Sequence, residues 1–258
     1  MNSFSAQSII LWKKEYGEND LIIFLLAEGY GRITAIAKNA KKSVKRFGGV
    51  LELFTLIDAE LKTTRNQAFY ILSEVSLESP YERIRTDFLK TAHASYWAEI
   101  LNGWIEEGHP QDEIFQLFRT SLENLDEDRV PAETLGIIFQ IKLLQLSGLS
   151  PDFSSCLGCG LEIDRIHDKR LLFDIKDGRT ICGSCSSKSH DGKKLRISKG
   201  TLNELRWIQK NTCSMAMRLR LNQVSISESR AILERFLPFH MGKDINSLRF
   251  LNILRHEI

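Results

Sequence analysis

Arg32-Ile-Thr-Ala-Ile-Ala-Lys-Asn-Ala-Lys-Lys-Ser-Val-Lys-Arg-Phe-Gly-Gly-Val-Leu51 begins as a short β-type segment and enters a dense basic run. It leaves through two glycines into a second β-type segment. No acid stands between Glu28 and Glu52, while Arg32, Lys38, Lys41, Lys42, Lys45 and Arg46 supply six cations. Flanked in this way, residues 38–49 read as a loop projecting from a sheet. A basic loop ending in glycines suits a phosphate backbone better than a small-molecule pocket. A charge run alone is equally a solvated face, so its meaning depends on the sheet around it.

Working outward, residues 6–14 hold an apolar run with β-branched members, and Tyr16-Gly-Glu-Asn-Asp20 marks a turn. Leu21–Leu26 is a second run, ended by Glu28-Gly-Tyr-Gly31, and Arg32–Lys38 is the third strand. Val50–Leu61 and Ala68–Leu77, joined at 62–67, give two more. Five strands in about 80 residues with short turns predict a small closed barrel. The oligonucleotide-binding (OB) type leads, because its strands and loops bind single strands, with an SH3-like barrel as the rival.

Pro80 ends the sheet region, and from Tyr81 the apolar period becomes helical. One helix is expected up to Gly108-His-Pro110, a second over about 111–125, and a third from Pro131 to Gly148, apolar around most of its circumference and therefore buried. Trp97, Trp104, Phe115, Phe118 and Phe139 fall at helical spacing, which makes them core residues before base-stacking platforms. Ser198 caps a further helix, and Ser225-x-x-Glu228 has the form of a capping box opening a helix through Leu237, which Pro238 and Gly242 break. Residues 244–257 form a last helix. The expected fold is thus α+β: an OB-type barrel domain over 1–80, then a mostly α-helical domain over 81–258 with a module at 151–190 set into it.

That module carries Cys156-Leu-Gly-Cys159 and Cys182-Gly-Ser-Cys185. Each C-x2-C turn can bring two thiolates to one ion at ~2.3 Å, and two such turns complete tetrahedral Zn²⁺ coordination. Residues 171–181 between them read as a small hairpin, as in a zinc ribbon. With four thiolates no coordination position remains for water, so one structural zinc ion is expected on Cys156, Cys159, Cys182 and Cys185. His167 and His190 are loop residues and Cys213 a half-buried thiol.

The 258 residues, 43% hydrophobic, suffice for roughly two domains, and no stretch approaches the ~20 apolar residues of a membrane-spanning helix. The N-terminus lacks the basic and apolar regions of a signal peptide, so a cytoplasmic, nucleoid-associated location with no membrane contact is expected. The net charge of +2 hides a partition: the nets are +1 for 1–80, −6 for 81–150, zero for 151–190 and +7 for 191–258. A polyanion should meet the first and last segments, the last through residues such as Lys199, Arg206 and Lys210 around Trp207. The carboxylates of 106–128 are expected to be solvated. Phosphate-binding, dinucleotide, zinc-protease and nucleophile-elbow motifs are all absent, and nothing calls for an enzyme or a small-molecule substrate.

The order of a barrel with a basic loop, a helical block and a four-cysteine module resembles the RecO family of bacterial recombination mediators over essentially the whole chain. The resemblance is carried by Glu18–Leu26, Gly31–Lys42, Arg46–Phe54, Leu146–Pro151 and His240–Leu251. It implies a non-enzymatic protein that binds single- and double-stranded DNA and anneals complementary strands. It also implies a grip on the C-terminal tail of single-stranded DNA-binding protein (SSB) and help, with RecR and often RecF, in loading RecA. Rival readings from other classes are a zinc-ribbon transcription or translation factor acting by protein contacts, and a nucleic-acid enzyme.

Overall fold

Five strands, β1 (Ser3–Tyr16), β2 (Asp20–Ala27), β3 (Gly31–Ala37), β4 (Leu56–Thr63) and β5 (Tyr70–Ser79), close a barrel in the order β1-β2-β3-β5-β4. The structure is a computed structural model and describes residues 3–64, 69–186 and 193–257. The expected turn at 62–67, the start of the strand at Ala68, and His190 lie wholly or partly outside them. The first strand is long because it has two partners: Ser3–Ile9 pairs with β4 and Ser8–Tyr16 with β2, both antiparallel. A bulge between Ile10 and Trp12 marks the bend, as an extra residue on one strand increases local twist. Parallel pairing of Ala35 with Tyr70 and Ile36 with Ile71 completes the closure. Inside, Ile10, Ile23, Leu25, Ile33, Ile57, Leu61 and Leu72 are buried together. Each such aliphatic side chain contributes roughly 1.5–3 kcal/mol on full burial. The five-stranded barrel expected from the sequence is the one found.

Between β3 and β4 the basic run holds a four-residue helix, α1 (Val44–Phe47), and the β-type segment expected from Val50 begins only at Leu56. Phe47 is 3% exposed and joins the barrel core with Leu51. The loop is therefore anchored at its distal end, where the sequence suggested free projection.

Contacts gather the chain into two units, Met1–Glu127 with Ile245–Ile258, and Asp128–Asp244. In the first, the expected helix after Pro80 is two: α2 (Glu82–Thr86) and α3 (Phe88–Trp104), separated at Asp87, whose carboxylate accepts from Lys90 N and caps α3. The next helix, α4 (Asp112–Asp126), lies within a residue of its expected place. Gly31 opens β3 at φ +69°, and a Cβ there would sit 1.8 Å from the His109 carbonyl oxygen. Only glycine lets the 105–109 segment lie against the strand.

In the second unit, α5 (Ala132–Leu146) has ten of its fifteen residues buried, as its all-round apolar pattern requires. A four-stranded sheet follows, formed by β6 (Asp152–Cys156), β7 (Arg170–Asp174), β8 (Arg179–Ile181) and β9 (Lys194–Ser198) in the order β6-β8-β7-β9, with the one-turn helix α6 (Gly183–Ser186) after β8. The expected hairpin is β7–β8; of the outer strands, which lie outside the sequence expectation, β6 carries no apolar alternation, whereas in β9 Leu195 and Ile197 alternate with Lys194, Arg196 and Ser198. Ser198 caps α7 (Lys199–Lys210) as anticipated, and α8 (Cys213–Ala216) follows. The capping box is corrected. Asn222 caps α9 (Gln223–Met241) by accepting from Ser225 N, and the helix runs through Pro238 to a Gly242 cap at φ +66°. Back in the first unit, α10 (Asn246–Glu257) packs along α3, its first N–H groups donating to the Glu99 carboxylate.

Candidate nucleic-acid interface and metal centre

The six cations of the basic run divide into two sets. Arg32, on β3, is half-buried: its Nε donates to the Ile105 carbonyl at 3.0 Å and its guanidinium lies 3.5 Å from the Glu107 carboxylate. Arg46 donates to Ser43 Oγ at 3.0 Å and to the Lys38 carbonyl at 2.8 Å, with its guanidinium 4.8 Å above the Phe47 ring. These two arginines shape the fold and the loop. Lys41 pairs with Glu15 at 2.9 Å. Lys38, Lys42 and Lys45 are exposed, and among the described residues no acid pairs with their ammonium groups. The charge without an acidic partner is thus three exposed lysines and the half-buried Arg46, with Lys41 held by an exposed and breakable pair.

Four of the acids expected to be solvated are structural instead. Glu107 accepts from Thr34 N at 2.9 Å, Asp112 from Gly29 N at 2.7 Å and Asp126 from Ile84 N at 3.1 Å, while Glu123 pairs with Arg119 at 3.0 Å. Two of these, Glu107 and Asp112, fasten the barrel to the residues that follow it, and Asp126 joins α4 to α2. Phe47 is core, and Tyr30, though exposed, has one ring face covered by Phe4 at 4.2 Å. Among the described residues of the barrel the most exposed rings are on β1. Trp12 and Tyr16 are 54% and 51% exposed; their place in and beside an apolar strand run masks them in the sequence, and the aromatic-Lys-aromatic alternation at 12, 14 and 16 is the signal that marks them.

The second candidate is metallic. The sulfurs of Cys156, Cys159, Cys182 and Cys185 lie within 4.8 Å of one another, and Cys159 and Cys182 are 3.9 Å apart. Sulfurs about 2.3 Å from one ion at tetrahedral corners stand ~3.8 Å apart, so the donor set fits. Cys156 ends β6 and Cys182 follows β8, so the sheet fixes the register of both turns; Asp168 accepts from Gly183 N at 2.7 Å and braces the second. Gly158 is required, because a Cβ there would lie 2.9 Å from Cys185 Sγ. Burial opposes a charge on Cys156, but N–H groups of Cys182, Cys159 and Gly158 outweigh it and bring that thiol to about 6. Cys185, hydrogen-bonded first of all to Cys182, is pushed up to about 12. Four sulfurs this close cannot all ionise without a cation among them. The cluster is compatible with zinc. His167 is exposed and takes no part, and burial raises the pKa of Cys213.

Of the C-terminal cations, Arg206 forms a two-point pair with Asp164 at 2.8 and 3.1 Å, and Lys199 donates to the Ile166 carbonyl at 2.7 Å. Both hold the unit together. Among the described residues no helix is long and apolar enough to cross a membrane.

Two family models match, Recombination protein O N terminal over residues 1–81 and Recombination protein O C terminal over residues 85–249. Among curated proteins, the DNA repair protein RecO of Desulfatibacillum aliphaticivorans is 38% identical over 100% of this chain and 99% of its own length. That of Desulfosudis oleivorans is 35% identical over 99% and 100%, and that of Anaeromyxobacter dehalogenans 30% over 98% and 97%. The names are those of a repair protein and state no catalytic activity.

Proposed function

Since the chain belongs to the RecO family, we propose that it is a non-catalytic DNA-binding mediator of repair. It holds single- and double-stranded DNA on the 1–80 barrel, anneals complementary strands and, with RecR and RecF, helps load RecA on SSB-coated DNA in the cytoplasm. The observation that carries this is the trio Lys38, Lys42 and Lys45, exposed and unpaired on a loop that Phe47 and Arg46 hold in one shape. Lys41 joins them when its pair with Glu15 opens, and Arg32 and Arg46 act by fixing the loop. Annealing in this view needs no bond chemistry: two polyanions are brought together while lysines screen their repulsion. The 81–258 helical domain, with its 151–190 module, serves protein contacts, including the SSB tail. The four cysteines hold one structural Zn²⁺, which ties two turns of that module together and supplies no open coordination position.

Binding through phosphates releases counterions, so affinity falls linearly in log–log form with salt, by about 0.7 per neutralised phosphate on single strands. The triple variant Lys38→Ala, Lys42→Ala, Lys45→Ala is expected to weaken single-strand binding at least tenfold and to flatten the salt slope by ~2. A strand-annealing assay with and without SSB accompanies the titration. Unchanged affinity and slope would remove the loop from the interface, and zinc without annealing would favour a zinc-ribbon factor.

A further inference from the structure

On the outer face of the barrel, one end of β1–β2–β3 is covered and the other is open. Side chains alternate across the sheet, and Ile23 and Leu25 point into the core, so the pairs Trp12–Phe24, Lys14–Ile22 and Tyr16–Asp20 face outward, with Ile36 beside Ile22. Ile9 and Leu26, at the covered end of this face, are fully buried. At the other end Trp12 and Tyr16 are about half exposed, Lys14 is exposed, and Phe24, Ile22 and Ile36 are only partly covered. The bulge between Ile10 and Trp12 sets this alternation, turning the indole outward where an unbroken strand would have sent it into the core.

We propose that this strip is a base-stacking platform for single-stranded nucleic acid, with Trp12 and Tyr16 as the stacking residues and Lys14 between them as a phosphate contact. The inference rests on the proposed DNA-binding reading and adds to it a basis for strand preference. Two observations select this occupant over a protein. The strip presents flat rings with a cation between them, and its β3 border runs directly into Lys38 and the loop that bears the unpaired Lys42 and Lys45. Of the acids beside it, Glu15 is paired with Lys41, while Asp20, which accepts from Asn39 N at 2.7 Å, and Glu99, which lines the cavity beside Trp12 and accepts from Asn246 N and Ser247 N, keep their charges; the positive excess offered to a ligand comes from Lys14 together with Lys38, Lys42 and Lys45 of the adjoining loop. Bases offer ring faces only when unpaired, while a duplex offers phosphates to the same lysines. The two rings therefore add affinity for single strands alone, while Lys14 serves both ligands. Spacing fits as well: same-face residues on a strand recur about every 6.8 Å, so the two rings stand ~13–14 Å apart with room for intervening nucleotides.

Equilibrium binding of a fluorescein-labelled oligothymidine and of a blunt duplex separates the terms. Trp12→Ala and Tyr16→Ala are each expected to weaken oligothymidine binding roughly tenfold, as loss of one stacked base implies. Duplex affinity and the salt slope of both ligands should hold. Trp12→Phe, which keeps a ring, should restore most of the single-strand affinity, and oligothymidine should quench tryptophan emission in wild type but much less in Trp12→Ala. Equal weakening for single strand and duplex, or no change for either, overturns the platform. In those cases Lys42→Glu with Lys45→Glu still reports on the underlying reading: loss of both ligands in that variant leaves loop binding intact and sinks the stacking strip alone. If wild type binds neither DNA, both ideas fall.

Discussion

Gly31 and Gly158 each hold a functional region together by having no side chain. At Gly31 both the positive φ and the 1.8 Å distance from a Cβ to the His109 carbonyl oppose any substitution. At Gly17 φ is +60° but nothing lies within 4 Å. Gly17→Ala should therefore cost only the ~1–2 kcal/mol of a left-handed L-residue. Gly31→Ala must also move a backbone, and a loss above ~3 kcal/mol is expected, about 10 °C in Tm for a unit of this size. Thermal melts of the two variants decide it: equal shifts would mean that 105–109 is not fastened to β3. Gly158→Ala pushes on the very sulfur that completes the cluster, so zinc affinity should drop at least tenfold and the ion should be released to a colorimetric chelator well before it leaves wild type. Gly160, at φ +72° with open space around it, provides the control. Neither distance was legible in the sequence. Glycines at 158, 160 and 183 in the sequence are compatible with tight turns, but which of them meets a sulfur depends on the fold.

At the scale of elements, alternation and spacing revealed what local chemistry controls, and tertiary partners decided the rest. The five strands, the buried α5, the β7–β8 hairpin and the caps at Ser198 and around Gly242 follow from patterns within a few residues. The division between α2 and α3 turns on a single Asp87 side chain, and β6 of the second sheet is held by pairing that no local pattern encodes, whereas β9 shows a readable alternation in Leu195 and Ile197. The misread capping box shows the same limit. Glu228 has the spacing to cap its own helix, yet its carboxylate accepts from Ser198 N at 2.9 Å, Ser198 Oγ at 2.7 Å and Thr201 Oγ1 at 2.6 Å, tying α9 to the start of α7. Burial works to raise its pKa, but the hydrogen bonds from Thr201 and Ser198 prevail and hold it below its ordinary 4.5. A group depressed on folding contributes stability that is complete above the unfolded value and is lost as pH falls through the folded one. Melting temperature should thus decline as pH drops below ~4.5. Glu228→Gln should melt lower at neutral pH and approach wild type in acid. Parallel curves for the two proteins would show that the charge does not matter there.

For the molecule as a whole, the charge partition read from the sequence has a different meaning in the structure. Within the −6 of 81–150, Glu107 and Asp112 serve as fastenings to Thr34 and Gly29, and within the +7 of 191–258, Arg206 pairs with Asp164 and Arg230 with Glu133 and Glu234. The six-cation stretch keeps three exposed lysines without an acidic partner among the described residues. The two units also differ in what stabilises them. The barrel core closes within residues 4–75 and contains no cysteine, whereas the sheet of the second unit carries two of its four sulfurs at the ends of its strands, Cys156 closing β6 and Cys182 following β8. Because a structural ion contributes its binding free energy to folding, chelation or Cys156→Ser with Cys182→Ser should act on one unit. Calorimetry should show one transition moving down by many degrees while a second stays in place. Oligothymidine binding by the chelated protein, below the lower transition, should retain its salt slope because Lys38, Lys42 and Lys45 depend on the barrel. SSB-dependent annealing should fail if the proposed protein contacts of 81–258 lie on the 128–244 unit that loses the ion. Loss of plain oligothymidine binding in step with zinc would instead make the metal part of the DNA interface, and the division of labour between loop and cysteines would have to be redrawn.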